Sequence, residues 1–298
     1  MNHRVGYVGL LVAMGIGWGL TQPLGKIAVS TGYRQFGLTF WQLVIGAVLM
    51  GAVLLARGQT VSINRRTMTF AVVLALIGTV IPNSTFYYSV AHLPSGIMSI
   101  LISTVPLMAF PVAMLLGMDR FSMPRLAGLL CGLLGVALIA LPSTSLPDAA
   151  MIAYLPIAMV GPFFYAFEGN FVAKYGTAGM DAVQAMFLAS CVGAVIILPV
   201  VLWSGQWIDP FVPWGRAEIA FVMESVVHTL CYCTYVWLAA RAGAVFATQT
   251  SYIVTGTGVI WAMLLLGERF SPWVWAALGV MLLGLFLVQP RKSLANAA

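Results

Sequence analysis

Glu224 and His228 lie four residues apart in an apolar stretch, so on a helix their side chains share one face. Such a pair can respond to protons, since histidine titrates near neutrality, or can satisfy itself and fix one helix to a neighbour. Glu168 is the second carboxylate inside an apolar run, and Lys26 is the charge nearest to it by position, which leaves an ion pair or a proton path open for both. No metal or covalent chemistry is expected around them. His3 is terminal, His92 sits in a loop, and Cys231-x-Cys233 on a helix points its thiols about 200° apart. Gly15-Ile16-Gly17-Trp18-Gly19 follows no strand and is no nucleotide loop, so neither a cofactor nor enzymatic activity is expected.

The uncharged polar groups in apolar runs are the other candidates. Thr79, Asn83 and Tyr87 cluster with Tyr88 in one run; His228, Tyr232, Tyr235 and Trp237 cluster in another; Trp18 and Gln22 stand in the first, beside Pro23. Ser99, Ser103, Tyr165, Gln249 and Tyr252 complete the set. Polar side chains are costly in hydrocarbon and turn toward a bundle interior or a cavity, so these residues are expected to form a wall for a small amphipathic solute with a flat apolar part. For Tyr88, Tyr235 and Trp237, near the run ends, an interfacial aromatic belt is the competing reading. For Ser99, Ser103 and Gln249, helix packing competes with ligand binding.

The elements that position these residues follow from composition. The 298 residues are 61% apolar or aromatic and 7% charged, too little charge for a soluble domain of this size. The apolar runs show no strand-like alternation, which disfavours a β-barrel. Charge and turn residues cut the chain into ten expected helical spans near 5–29, 35–56, 67–90, 94–117, 124–141, 150–173, 182–203, 216–239, 242–266 and 272–289. The fold class is therefore an all-α polytopic membrane protein.

Lys and Arg in the connections orient it. Arg4, Arg57, Arg65, Arg66, Arg120, Arg125, Lys174, Arg241, Arg291 and Lys292 fall on the face shared by both termini, while Arg34, Arg216 and Arg269 fall on the other. The positive-inside rule then places both termini in the cytoplasm.

The chain also matches itself at an offset of 149 residues. Ala113-Met114-Leu115-Leu116 recurs as Ala262-Met263-Leu264-Leu265, Arg120-Phe121-Ser122 recurs as Arg269-Phe270-Ser271, and Asp119 corresponds to Glu268. Two five-span halves, residues 1–145 and 146–298, are expected. Because five is odd, the second is inverted relative to the first, an arrangement typical of secondary transporters with a site where the halves meet. At this offset Thr79 pairs with His228, Asn83 with Tyr232 and Phe86 with Tyr235.

Gly243-Ala244-Val245-Phe246, Gly267-Glu268-Arg269-Phe270-Ser271, Gly279 and Gly284, with Trp18-Gly19, Pro94-Ser95-Gly96 and Pro106, resemble the drug/metabolite transporter superfamily, EamA type. The resemblance spans essentially the whole chain and implies a ten-helix exporter of two five-helix halves. Asp119 departs from the Glu of that pattern, and Thr255 or Gly256 stands where the fourth span has Pro106. Length, the Arg65-Arg66 loop and the aromatic-rich spans most resemble the bacterial aromatic amino-acid exporter branch. The resemblance implies export of aromatic and other neutral amino acids across the bacterial inner membrane, with a broad drug or metabolite exporter as the alternative. The expected partners are a small-molecule substrate and the lipid bilayer, with no nucleic acid and no required oligomer.

Overall fold

The computed structural model describes residues 2–142, 144–242, 247 and 249–288. Helical stretches among them are numbered in chain order: α1 Asn2–Ala28, α2 Gln35–Ala56, α3 Arg65–His92, α4 Ser95–Leu115, α5 Met123–Ala140, α6 Ala149–Tyr175, α7 Ala182–Trp203, α8 Arg216–Ala242, α9 Thr250–Leu266 and α10 Pro272–Val288. No strand occurs among the described residues. The stretches α1 to α8 contain segments long and apolar enough to cross a membrane; α9 and α10, at 17 residues each, are shorter. The expected opening of the ninth span, with Gly243 to Phe246 and Thr248, and the tail bearing Arg291 and Lys292 lie outside the described residues.

Proline explains the two interruptions. Pro82 and Pro106 lack the N–H that would bond the carbonyl four residues earlier. In α3 a π-helical segment, Ala75–Val80, absorbs the mismatch. In α4 the helix breaks at Ser103, between Ile102 and Thr104, next to the carbonyl that Pro106 leaves without its helical donor.

Packing joins early helices to late ones. α1 packs on α8 and α9, α6 packs on α3 and α4, α2 packs on α7, and α5 packs on α10. The α5–α10 pair is close enough to require glycine: a Cβ at Gly128 would lie 2.7 Å from the Gly284 carbonyl oxygen, and one at Gly284 2.8 Å from that of Gly128. Gly132 and Gly135 face Leu107 and Met281 at similarly short range. Gly279, on the same helix as Gly284, has open space around it instead.

Polarity is inverted relative to a soluble protein. Val48, Leu133, Val195, Leu264 and Phe286 are exposed on helix exteriors, whereas Gln42, Asn83, Glu168 and Glu224 are buried. Hydrogen bonds between connections sort these into two ends. At one end Gln184 donates to Thr60 O (2.8 Å) and Lys174 to Leu116 O (2.8 Å). At the other, Trp41 donates to Ile208 O (3.0 Å), Ser271 to Ser145 O (3.2 Å), and the Phe36 N–H to Gln206 (2.9 Å).

Candidate functional site

The helix contacts bring two buried carboxylates into polar surroundings. Tyr87 on α3 donates its hydroxyl to Glu224 on α8 at 2.6 Å, and the Gln42 amide on α2 is shared between both Glu224 oxygens at 3.2 and 3.3 Å. Asn83 then donates to Gln42 at 2.8 Å, and Tyr165 on α6 donates to Asn83 at 2.9 Å. The chain Tyr165, Asn83, Gln42, Glu224, Tyr87 thus ties four helices together. Close by, the Tyr232 hydroxyl of α8 donates to Glu168 of α6, which lies against Gly78 in the π-helical part of α3, where a Cβ would lie 2.8 Å from the carboxyl carbon.

Neither carboxylate has a cationic partner among the described residues, where the single ion pair is elsewhere. The anticipated pairing of Lys26 with Glu168 does not form. Lys26 reaches the end of α3 and donates to the Ala91 and Leu93 carbonyls (3.1 and 3.0 Å), a natural place for a cation beside helix-end carbonyls. Glu224 and His228 share a helix face but no hydrogen bond: Glu224 turns to Tyr87 and Gln42, while His228 meets the ring of Trp18 edge-on, with centroids 6.2 Å apart. Trp18 also touches Tyr232 (6.5 Å) and Tyr235 (5.7 Å), so Tyr235 belongs to an interior aromatic group. Trp237 instead pairs with Tyr7 and lies under Arg241, consistent with a helix-end anchor.

Several candidates serve their own helices. Thr79 donates to Ala75 O, Ser99 to Ser95 O and Ser103 to Ile100 O. Gln22 is buried and makes no hydrogen bond among the described residues. Gln249 and Tyr252 lie apart from the carboxylate network. They line a cavity of about 180 Å³ with residues of α4, α6 and α10, together with Asp119 and Arg125.

Arg125 and Gln42 are the residues sequence reasoning overlooked. Arg125, at the start of the expected span 124–141, counts there only for orientation, yet it is 6% exposed, forms an ion pair with Asp119 and lies 5.5 Å from the Phe110 ring centroid. A glutamine two turns inside the apolar run 35–56 is the available signal for Gln42.

At the opposite end, the turn between α3 and α4 is held from two sides. Lys26 binds the last carbonyls of α3. Glu268, after α9, accepts from the Ser95 N–H (2.8 Å), the Ser95 hydroxyl (2.9 Å) and the Gly96 N–H (3.0 Å), capping α4 with negative charge. Nearby, Tyr33 donates to Glu218 at 2.6 Å, and this bond, with burial adding a smaller effect, pushes the phenol up to about 12.

The EamA-like transporter family model matches this architecture twice, over residues 5–141 and 152–289. The chain belongs to the EamA-like transporter family. This EamA-family chain is therefore a multi-pass membrane transporter of small solutes. A solved structure described as "Crystal structure of protein" has the same fold, with a TM-score of 0.64 at 16% identity, covering 93% of this chain and 94% of its own. No curated protein matches the chain.

Proposed function

We propose that this chain is a secondary transporter that exports aromatic and other neutral amino acids across the bacterial inner membrane by alternating access. It does so as ten spans in two inverted halves, residues 1–145 and 146–298, with both termini cytoplasmic. Support for the halves comes from the double family match and from packing that survives exchange of each helix with the one five further on: α1 on α8 and α9 becomes α6 on α3 and α4.

The observation that carries the mechanism is a pair of buried carboxylates with neutral donors: Glu224 bonded across the halves by Tyr87 and Gln42, and Glu168 bonded by Tyr232 of its own half while packed on Gly78 of the other. Ionised, Glu224 accepts from Tyr87 and Gln42; protonated, it can donate to the Tyr87 hydroxyl oxygen, since a phenol both donates and accepts. Its partners thus tolerate both protonation states, as a residue that exchanges protons during a cycle requires. Trp18 with His228, Tyr232 and Tyr235 supplies a ring-lined wall for an aromatic side chain once the helices part. Candidate solute contacts are Trp18, Gln22, Asn83, Tyr165, His228 and Tyr232 here, with Gln249 and Tyr252 at the cavity.

Counterflow in proteoliposomes with labelled phenylalanine, tryptophan, threonine and a cationic dye tests the reading. Exchange of the amino acids is expected. Exchange of the dye alone would favour a drug exporter, and indifference of all exchange to an imposed pH gradient would remove Glu168 and Glu224 as proton carriers.

A further inference from the structure

The cavity that holds Arg125 has a chemical character the transport reading does not use. Its charged lining is one ion pair, Arg125 to Asp119, placed where α4 gives way to α5, with Phe110 beneath the guanidinium. Arg125 is almost fully withdrawn from solvent, whereas the Asp119 side chain is 34% exposed, so the pair opens on its acidic side. The Arg120 N–H holds the other Asp119 oxygen at 2.8 Å. Gln249, whose amide has no hydrogen-bond partner among the described residues, lines the same cavity.

Internal comparison shows that the pair is not a structural need of the turn. At the offset of 149 residues Asp119 corresponds to Glu268, but Arg125 corresponds to Val274, which is buried in an apolar cluster. Glu268 is already engaged by the Ser95 and Gly96 N–H groups. The equivalent turn therefore forms with no arginine, and apolar replacement of a buried ion pair is commonly neutral or better for stability. An arginine kept at one end of a duplicated fold, beside a cavity, calls for a ligand.

We infer that the Arg125–Asp119 pair is a recognition site for the zwitterionic head group of an α-amino acid, the carboxylate going to Arg125 and the ammonium to Asp119. The exchange replaces one ion pair by two and leaves the buried charge balanced. Guanidinium and carboxylate match in geometry. The volume, about six water molecules' share of liquid, is below that of pockets for drug-sized ligands and suits a small solute with Phe110 and Tyr252 beside its side chain. The inference rests on the proposal that amino acids are the cargo, and adds which part of them is read and where.

The test uses the purified full-length protein and three probes: phenylalanine, phenylalaninamide, which lacks the carboxylate, and 3-phenylpropionate, which lacks the ammonium. Binding is read by thermal stabilisation and transport by counterflow. The wild type is expected to bind phenylalanine about tenfold or more tightly than either analogue, the scale of one lost charge-assisted hydrogen bond. Arg125→Gln is expected to lose the preference over phenylalaninamide, and Asp119→Asn the preference over 3-phenylpropionate. Arg125→Lys, which keeps the charge without the fork, retains part of the first preference and guards against misfolding. Discrimination that survives unchanged in Arg125→Gln and Asp119→Asn overturns the site, as does a wild type to which phenylalanine does not bind. Selective binding that the variants abolish, in a protein that shows no counterflow, upholds the site and overturns the transport reading instead.

Discussion

Replacing Gln42 with leucine probes the network at its hub. The side chain is nearly isosteric, so packing is kept while two relations are cut: the amide shared by the Glu224 oxygens and the bond received from Asn83. Hydrogen bonds between membrane helices contribute about 0.6 kcal/mol on average, which sets a floor near 1 kcal/mol for two. The ceiling comes from orphaning buried groups, about 1–3 kcal/mol each for Asn83 and Glu224, or near 6 kcal/mol together. Glu224 keeps Tyr87 and Asn83 keeps Tyr165, so neither is stripped bare, and the expected loss is about 2–4 kcal/mol between those limits. Reversible unfolding in mixed micelles with rising dodecyl sulfate measures it, with the exposed Gln59→Leu as a control expected to stay within about 0.5 kcal/mol. Because Tyr87→Phe removes another bond to the same carboxylate, the double variant should deviate from additivity by about 0.5 kcal/mol or more. A Gln42→Leu protein as stable as the Gln59→Leu control would refute the claim that these bonds tie the helices together.

Gly284→Ala should destabilise the protein by about 1–3 kcal/mol in the same assay, because the new methyl meets the Gly128 carbonyl, whereas Gly279→Ala, in open space, should be neutral or slightly stabilising. Glu268→Ala removes the cap of α4 and should cost about 1–2 kcal/mol; equal stability would mean that the bonds to Ser95 and Gly96 are dispensable. Glu218→Gln should return the Tyr33 phenol from about 12 toward 10, seen in ultraviolet titration. The sign follows from the raised value: while Glu218 is ionised, any stabilisation by this bond is complete below pH 10 and is lost as pH rises through 12.

Much of the helix layout was legible because a membrane imposes length and hydropathy on each segment separately. The expected runs 35–56 and 182–203 coincide with Gln35–Ala56 and Ala182–Trp203, and the run 272–289 ends one residue beyond the described helix Pro272–Val288. Asn83, Tyr87, Tyr165, Glu168, Glu224 and Tyr232 could be singled out because each is a polar group in an apolar run. Their partners could not, since a bond such as Asn83 to Gln42 depends on the rotation and approach of two helices, which no single-helix pattern encodes. Arg125 was hidden for a related reason: it is close to a chain reversal and carries charge, the usual signature of a solvated residue, and only the neighbouring helices bury it. Lys26 shows the converse, a charge inside a run that finds helix-end carbonyls without any carboxylate.

The hold on the turn between α3 and α4 bears on speed. Lys26 comes from α1 and Glu268 from the connection after α9, so five hydrogen bonds must be lost before that end can part. In the proposed alternating-access cycle their loss belongs to the barrier between states, whereas the polar network and the Arg125 cavity are the places proposed to handle protons and solute. Weakening the hold should therefore change turnover at saturating solute while leaving half-saturation nearly untouched, and would make this end of the molecule the clock of the cycle.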